Sequence, residues 1–163
     1  MAFDAFLKLD GLDGESVRAG FEKWIEIYSF SLGASNPTTI GSGGEGAASG
    51  KVVISSFNLM KKTDSTSPNM FQKCCAGKHY PKASVWLNKA GGDKSISYLK
   101  WDFTEVFVDS IQWSGASGGD DTPTESVSLA FGSVNISYTP QKADGTPGAA
   151  QIAGWDVKKN AKL

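Results

Sequence analysis

At 163 residues the chain is one domain's worth, long enough to bury roughly 70% of its unfolded surface. Its 40% hydrophobic content and 19 glycines fit a turn-rich β protein. A net charge of -1 leaves no electrostatic footprint for nucleic acid or an anionic membrane, and two adjacent cysteines, Cys74 and Cys75, make no disulfide framework.

No opening segment joins a charged start to an apolar run, and no stretch reaches membrane-spanning length. The expected compartment is the cytosol, with any export by a route without a cleaved signal peptide.

In chain order, Phe3, Ala5, Leu7 and Leu9 alternate with Asp4, Phe6 and Lys8, which predicts a strand closed by Asp10-Gly11 and Asp13-Gly14. Phe6 falls on the otherwise charged face; it reads either as a singly exposed aromatic or as one buried against another subunit. From Trp24 to Leu32 a second strand places Trp24, Tyr28, Phe30 and Leu32 on one face. Its other face changes from Ile25 and Ile27 to the small polar Ser29 and Ser31, which suits either the wall of a solvated cavity or an ordinary solvent-facing strand end.

Asn36 to Gly50 is Gly/Ser/Ala-rich and long for a loop inside a domain, so it is expected to be functional or mobile rather than to pack a core. Lys51 to Met60 resumes β character with apolar residues on both faces. Ser67 as N-cap, Pro68 at the first helical position and Gly77 at the C-terminal left-handed position then predict one short helix. Met70, Phe71, Cys74 and Cys75 are expected to share its buried side.

Ala83, Val85 and Leu87 predict a strand, turned by Gly91-Gly92-Asp93 into a partner beginning near Ser95. Apolar residues on both parities from Ile96 to Trp113 indicate two strands or one strongly bent strand. In the stretch Thr124 to Gly145, Val127, Leu129 and Phe131 keep one alternation, and Val134, Ile136 and Tyr138 keep the opposite one. The slip at Gly132 predicts a bulge that bends a long strand, a device that a closing barrel or a folded-over sandwich needs. Pro140 ends that run, Asp144-Gly145 marks a turn, and Gly154 to Val157 supplies a last short strand.

Several matching motifs fail on context. Gly41-Ser42-Gly43-Gly44-Glu45-Gly46 fits a dinucleotide loop, but β-branched Val52-Val53-Ile54 follows where a helix must begin. Gly115-Ala116-Ser117-Gly118-Gly119 fits a nucleophile elbow, but a loop follows it and the only histidine, His79, lies upstream. Cys74, Cys75 and His79 make no zinc site, because adjacent helical cysteines diverge by about 100°. Asp120 and Asp121 lack the apolar burial that separates the pKa values of paired carboxylates. No catalytic, metal or cofactor constellation is expected.

Thr124-Glu125-Ser126-Val127-Ser128-Leu129, Tyr138-Thr139-Pro140-Gln141 and Asp144-Gly145 resemble the haemolysin-coregulated protein (Hcp) family of type VI secretion systems. So do Phe6-Leu7-Lys8, Gly14-Glu15-Ser16, Phe30-Ser31-Leu32-Gly33, Gly50-Lys51, Ser67-Pro68-Asn69 and Gly77-Lys78-His79-Tyr80-Pro81. Lys89-Ala90-Gly91-Gly92, Glu105-Val106-Phe107-Val108, Gly154-Trp155-Asp156 and Asn160 extend the resemblance nearly end to end. It implies one mainly β domain over residues 1–163, a small β-barrel of two packed sheets with one short helix and a Gly-rich loop at about 34–50.

The resemblance further implies a homohexameric ring, stacked into the inner tube that a contractile sheath and spike protein complete. Its lumen would carry effector proteins, and the subunit would be cytoplasmic before firing and secreted afterwards. Ser29 and Ser31 are then the expected lumen contacts. Phe6, Ile40, Gly43 and Gly44 are the expected subunit or ring contacts. A phage-tail-type tube protein, and a monomeric β-barrel binding module or enzyme, are the alternatives.

Overall fold

The computed structural model describes residues 3–41, 48–89 and 95–163. Among these, the strands in chain order are β1 (Asp4–Leu9), β2 (Ile25–Ile27), β3 (Ser29–Ser31), β4 (Ala34–Ser35), β5 (Thr38–Thr39), β6 (Ala48–Ser49), β7 (Val53–Ile54) and β8 (Phe57–Lys62). A helix, α1 (Ser67–Ala76), separates them from β9 (His79–Lys89), β10 (Ile96–Ser114), β11 (Thr124–Tyr138), β12 (Gln151–Asp156) and β13 (Ala161–Lys162). The protein is thus mainly β with one short helix. Among the described residues no helix is long and apolar enough to cross a membrane.

The main sheet runs β13-β12-β11-β10-β9-β1-β2, and β8 branches from β11 to pair with β3. Ile25–Ile27 pair with β1 while Ser29–Ser31 pair with β8, and the break falls at Tyr28, whose N–H donates to the Met60 carbonyl at 2.8 Å. The expected closed barrel is not formed. The reason lies in β11: Thr124–Leu129 pair with β8, but Ser133–Tyr138 pair with β12. Two layers diverge from one shared strand, which leaves a cleft between them where a barrel would have a wall.

The expected bulge at Gly132 is a different device. The β10–β11 register holds across it, with Thr104 opposite Ser133 and Val106 opposite Phe131. On the other side Thr104 meets Lys82 and Val106 meets Tyr80. Pro81, Glu105 and Gly132 therefore stand in one row across three strands. At that row every strand changes its buried parity: from Tyr80 to Ala83, from Phe103 to Val106, and from Phe131 to Val134.

This row is a crease, and its residues suit it. Proline brings no N–H that needs a ladder partner. Glu105 takes a left-handed conformation, φ 51°. A Cβ on Gly132 would come within 3.1 Å of Glu105 Oε2 and 3.3 Å of its Cβ. The one shift in the β10–β11 register lies elsewhere, between Val108 and Ser110. The apolar residues on both parities from Ile96 to Trp113 thus belong to one creased strand of 19 residues.

Between the layers, Phe57 stacks on Phe30 and packs against Trp101 and Phe103, with ring centroids 5.4–5.9 Å apart. Helix α1 starts one residue earlier than its sequence signals place it. Thr66 is the N-cap and Ser67 the first helical residue, its Oγ accepting instead from the Asp64 N–H. Gly77 ends the helix in the left-handed conformation, as its position predicts.

Met70 is buried and Cys74 half-buried, but Phe71 and Cys75 are exposed, so the buried side is narrower than expected. Tyr80 anchors the helix to β9 by donating its hydroxyl to Asn69 Oδ1 at 2.6 Å, and burial pushes its phenol up to about 12. The Gly115–Gly119 stretch lies in the loop between β10 and β11, outside any strand-to-helix turn. The last long strand begins three residues before its predicted start, at Gln151.

Candidate functional site

Two surfaces carry features that a stable core does not require. The first is the outward side of β3, β8, β11 and β10. Strand alternation turns Phe30, Leu59, Val127 and Leu129 inward and leaves the intervening residues outside. Cross-strand register then assembles two rows, Ser31–Asn58–Ser128–Ser110 and Ser29–Met60–Ser126–Gln112. Ser128 Oγ donates to Asn58 Oδ1 at 2.5 Å, so neighbouring side chains satisfy one another across the strands.

All eight positions lack formal charge and seven are hydroxyl or amide. Such a face is hydrated, neither grips nor repels a polypeptide strongly, and has no group poised for covalent chemistry. Ser29 and Ser31 lie on it and are exposed. Sequence reading found these two alone, because Asn58, Ser110, Ser126 and Ser128 join them only through pairings between distant segments.

The second surface is the cleft where the layers part. One wall is Val134, Ile136, Ala153 and Trp155; the other is Phe30, Leu32, Val52 and Ile54, with Trp101 also lining the opening. Its volume is about 540 Å³. A hairpin arm rises from the second wall. Ala34–Ser35 pair with Val53–Ile54, and beyond them Thr38–Thr39 pair with Ala48–Ser49. The Asn36–Gly50 stretch, expected to be a plain loop, therefore carries one short ladder of its own, above a second that joins Ala34–Ser35 to Val53–Ile54. Ile40 projects from it at 87% exposure.

Phe6 corrects an expectation. It is 3% exposed within the single chain, stacked on Phe21 with centroids 4.4 Å apart. Trp24 and Trp86 complete this cluster on the outer side of β1 and β9, and Lys100 Nζ lies 3.8 Å from the Trp86 ring centroid. The segment carrying Phe21 and Trp24 covers Phe6, so no second subunit is needed to bury it. Gly43 and Gly44 lie outside the described residues.

A third feature escaped sequence reading. Lys61 and Glu125 stand opposite each other on β8 and β11, both fully buried, 2.8 Å apart. Asp64 reaches Lys61 at 3.0 Å, and Trp113 Nε1 donates to Glu125 Oε1 at 2.6 Å. Lys61 occupies the inward position after Phe57 and Leu59, where the alternation calls for an apolar residue.

A family model described as "Type VI secretion system effector, Hcp" matches residues 6–138. The chain belongs to the Hcp family of type VI secretion system proteins. Protein hcp1 of Pseudomonas aeruginosa is 37% identical over 163 residues, covering 99% of both chains. A solved structure of a type six secretion system protein superposes with a TM-score of 0.93 at 36% identity, covering 99% of this chain and 100% of that one. Hcp1 from Salmonella typhimurium gives 0.82 at 32% identity, with both chains covered in full.

Proposed function

We propose that this Hcp chain is a subunit of the inner tube of a type VI secretion apparatus. Copies close into a homohexameric ring, rings stack into a conduit, and effector proteins travel in the lumen. Two uncharged rows on the outward side of β3, β8, β11 and β10 carry this reading: seven hydroxyl or amide side chains and Met60, four strands across, suit a passage for varied polypeptides, and the next row brings in Lys62 at their edge. The open cleft is consistent with it, because an apolar recess of this kind marks a surface that another chain covers.

In this reading each subunit waits in the cytoplasm, leaves without a cleaved signal, and meets the contractile sheath and spike protein as well as its own copies. Ser29 and Ser31 face the lumen, and Ile40 on the arm serves contacts between subunits or rings. A closed head-to-tail contact buries the cleft cyclically, so light scattering on the pure protein at micromolar concentration should give about six protomer masses. A monomer at that concentration sinks the proposal.

A further inference from the structure

The strand path β13-β12-β11-β10-β9-β1-β2 has two ends, and they differ in charge. At the β2 end, residues 4–26 hold six carboxylates against three cations. Asp13 is held by Lys8 and Lys23, and Asp4 by Arg18. Glu15 and Glu26 are exposed and form no ion pair among the described residues; they line one small cleft with Tyr28, and Lys62 is the cation beside them.

At the β13 end, residues 151–163 hold three lysines against a single side-chain carboxylate, Asp156. Lys158 is spent on Glu105, and Asp156 Oδ1 accepts from the Lys159 N–H. Lys159 and Lys162 are exposed, with no ion pair among the described residues. Each end also shows apolar surface: Phe3, Val17 and Tyr28 near β2, and Ile136, Ile152 and the cleft beside β12.

We propose that the β2 end of one copy docks on the β12–β13 end of the next, with Glu15 and Glu26 facing Lys159 and Lys162 and with Tyr28 and Phe3 laid against the apolar surface beside the cleft. The occupant is a second copy of this chain because each end supplies what the other lacks: acidic and apolar on one side, basic and apolar on the other. A contact between two different patches of one chain is head-to-tail, the kind that closes into a ring when the rotation allows. This inference rests on the ring reading above and names the two surfaces that meet. It also makes assembly salt-sensitive, since exposed pairs are screened over about 3 Å at 1 M salt against roughly 30 Å at 0.01 M.

The test is a charge swap followed by light scattering at low salt. Glu26→Lys and Lys162→Glu each place like charges in the contact, and each should lower the assembled fraction at a fixed micromolar concentration by tenfold or more. The double variant restores opposite charges and should recover assembly. Both positions are exposed, so far-ultraviolet circular dichroism should match the wild type in all three, and melting should fall only as far as lost assembly removes its stabilisation. If the wild type assembles and the single variants assemble equally well, or the folded double variant fails to recover, these surfaces are not the contact, whatever the fate of the ring. A wild type that stays monomeric at low salt overturns the ring reading and this contact together.

Discussion

At the scale of single residues, the buried Lys61–Glu125 pair decides the most. Taking two charges out of water is offset only when partners surround both, and here Asp64, the Ser67 hydroxyl, the Lys62 carbonyl and the Trp113 indole do so. Together they tie β8 and β11 to the first turn of α1 and to the end of β10. Lys61→Met leaves Glu125 buried without its counter-charge. It should destabilise the fold by about 3–5 kcal/mol, read as a lowered melting temperature, while Lys62→Met on the exposed side of the same strand should change little. A Lys61→Met variant that melts with the wild type would mean that water reaches Glu125. Nothing in the sequence marked this pair: each residue is a charge among apolar alternates, and only the β8–β11 register sets them face to face. Phe6 was misread for a related reason. Its parity was right, but the cover comes from Phe21 and Trp24, and alternation along one strand carries no information about what folds across its outer face.

At the scale of elements, much was legible where a local rule sufficed. Proline near the start and left-handed glycine at the end fixed α1 within a residue, and the parity slip at Gly132 located a bend. What the bend is depended on neighbours, because the crease needs Pro81, Glu105 and Gly132 in one row and no single strand contains more than one of them. The arm is a like case. Its composition excluded a core and so suggested a loop, whereas cross-strand bonding alone gives β4–β7 and β5–β6 their ladders. The described parts of the arm are exposed almost throughout and bury little, so they contribute little to the stability of the sheet. Deleting Thr38 to Ala48 should therefore leave far-ultraviolet circular dichroism close to wild type. The same deletion should impair ring formation, stacking or secretion, since Ile40 goes with it. Full assembly and secretion without these residues would show that the arm has no part in contacts between copies.

At the scale of the whole molecule, the neutral face acquires meaning only when it is repeated. One subunit offers two uncharged rows, seven hydroxyl or amide side chains and Met60; in the proposed ring they would repeat into a continuous wall. Ser31 is the position at which to test this, because its neighbour Phe30 points the other way, stacked on Phe57, while Ser31 is exposed beside Asn58. Ser31→Gln adds bulk once per subunit without entering the core, and surface changes of this kind usually stay within about 0.5 kcal/mol. Thermal stability and ring mass should therefore match the wild type, while co-purification of an effector protein falls several-fold because the narrowed wall repeats around the passage. Unfolding or ring loss in Ser31→Gln would place this side chain in a packed contact, and the β3–β8–β11–β10 face would then be an interface between subunits, with the lumen lined by some other surface.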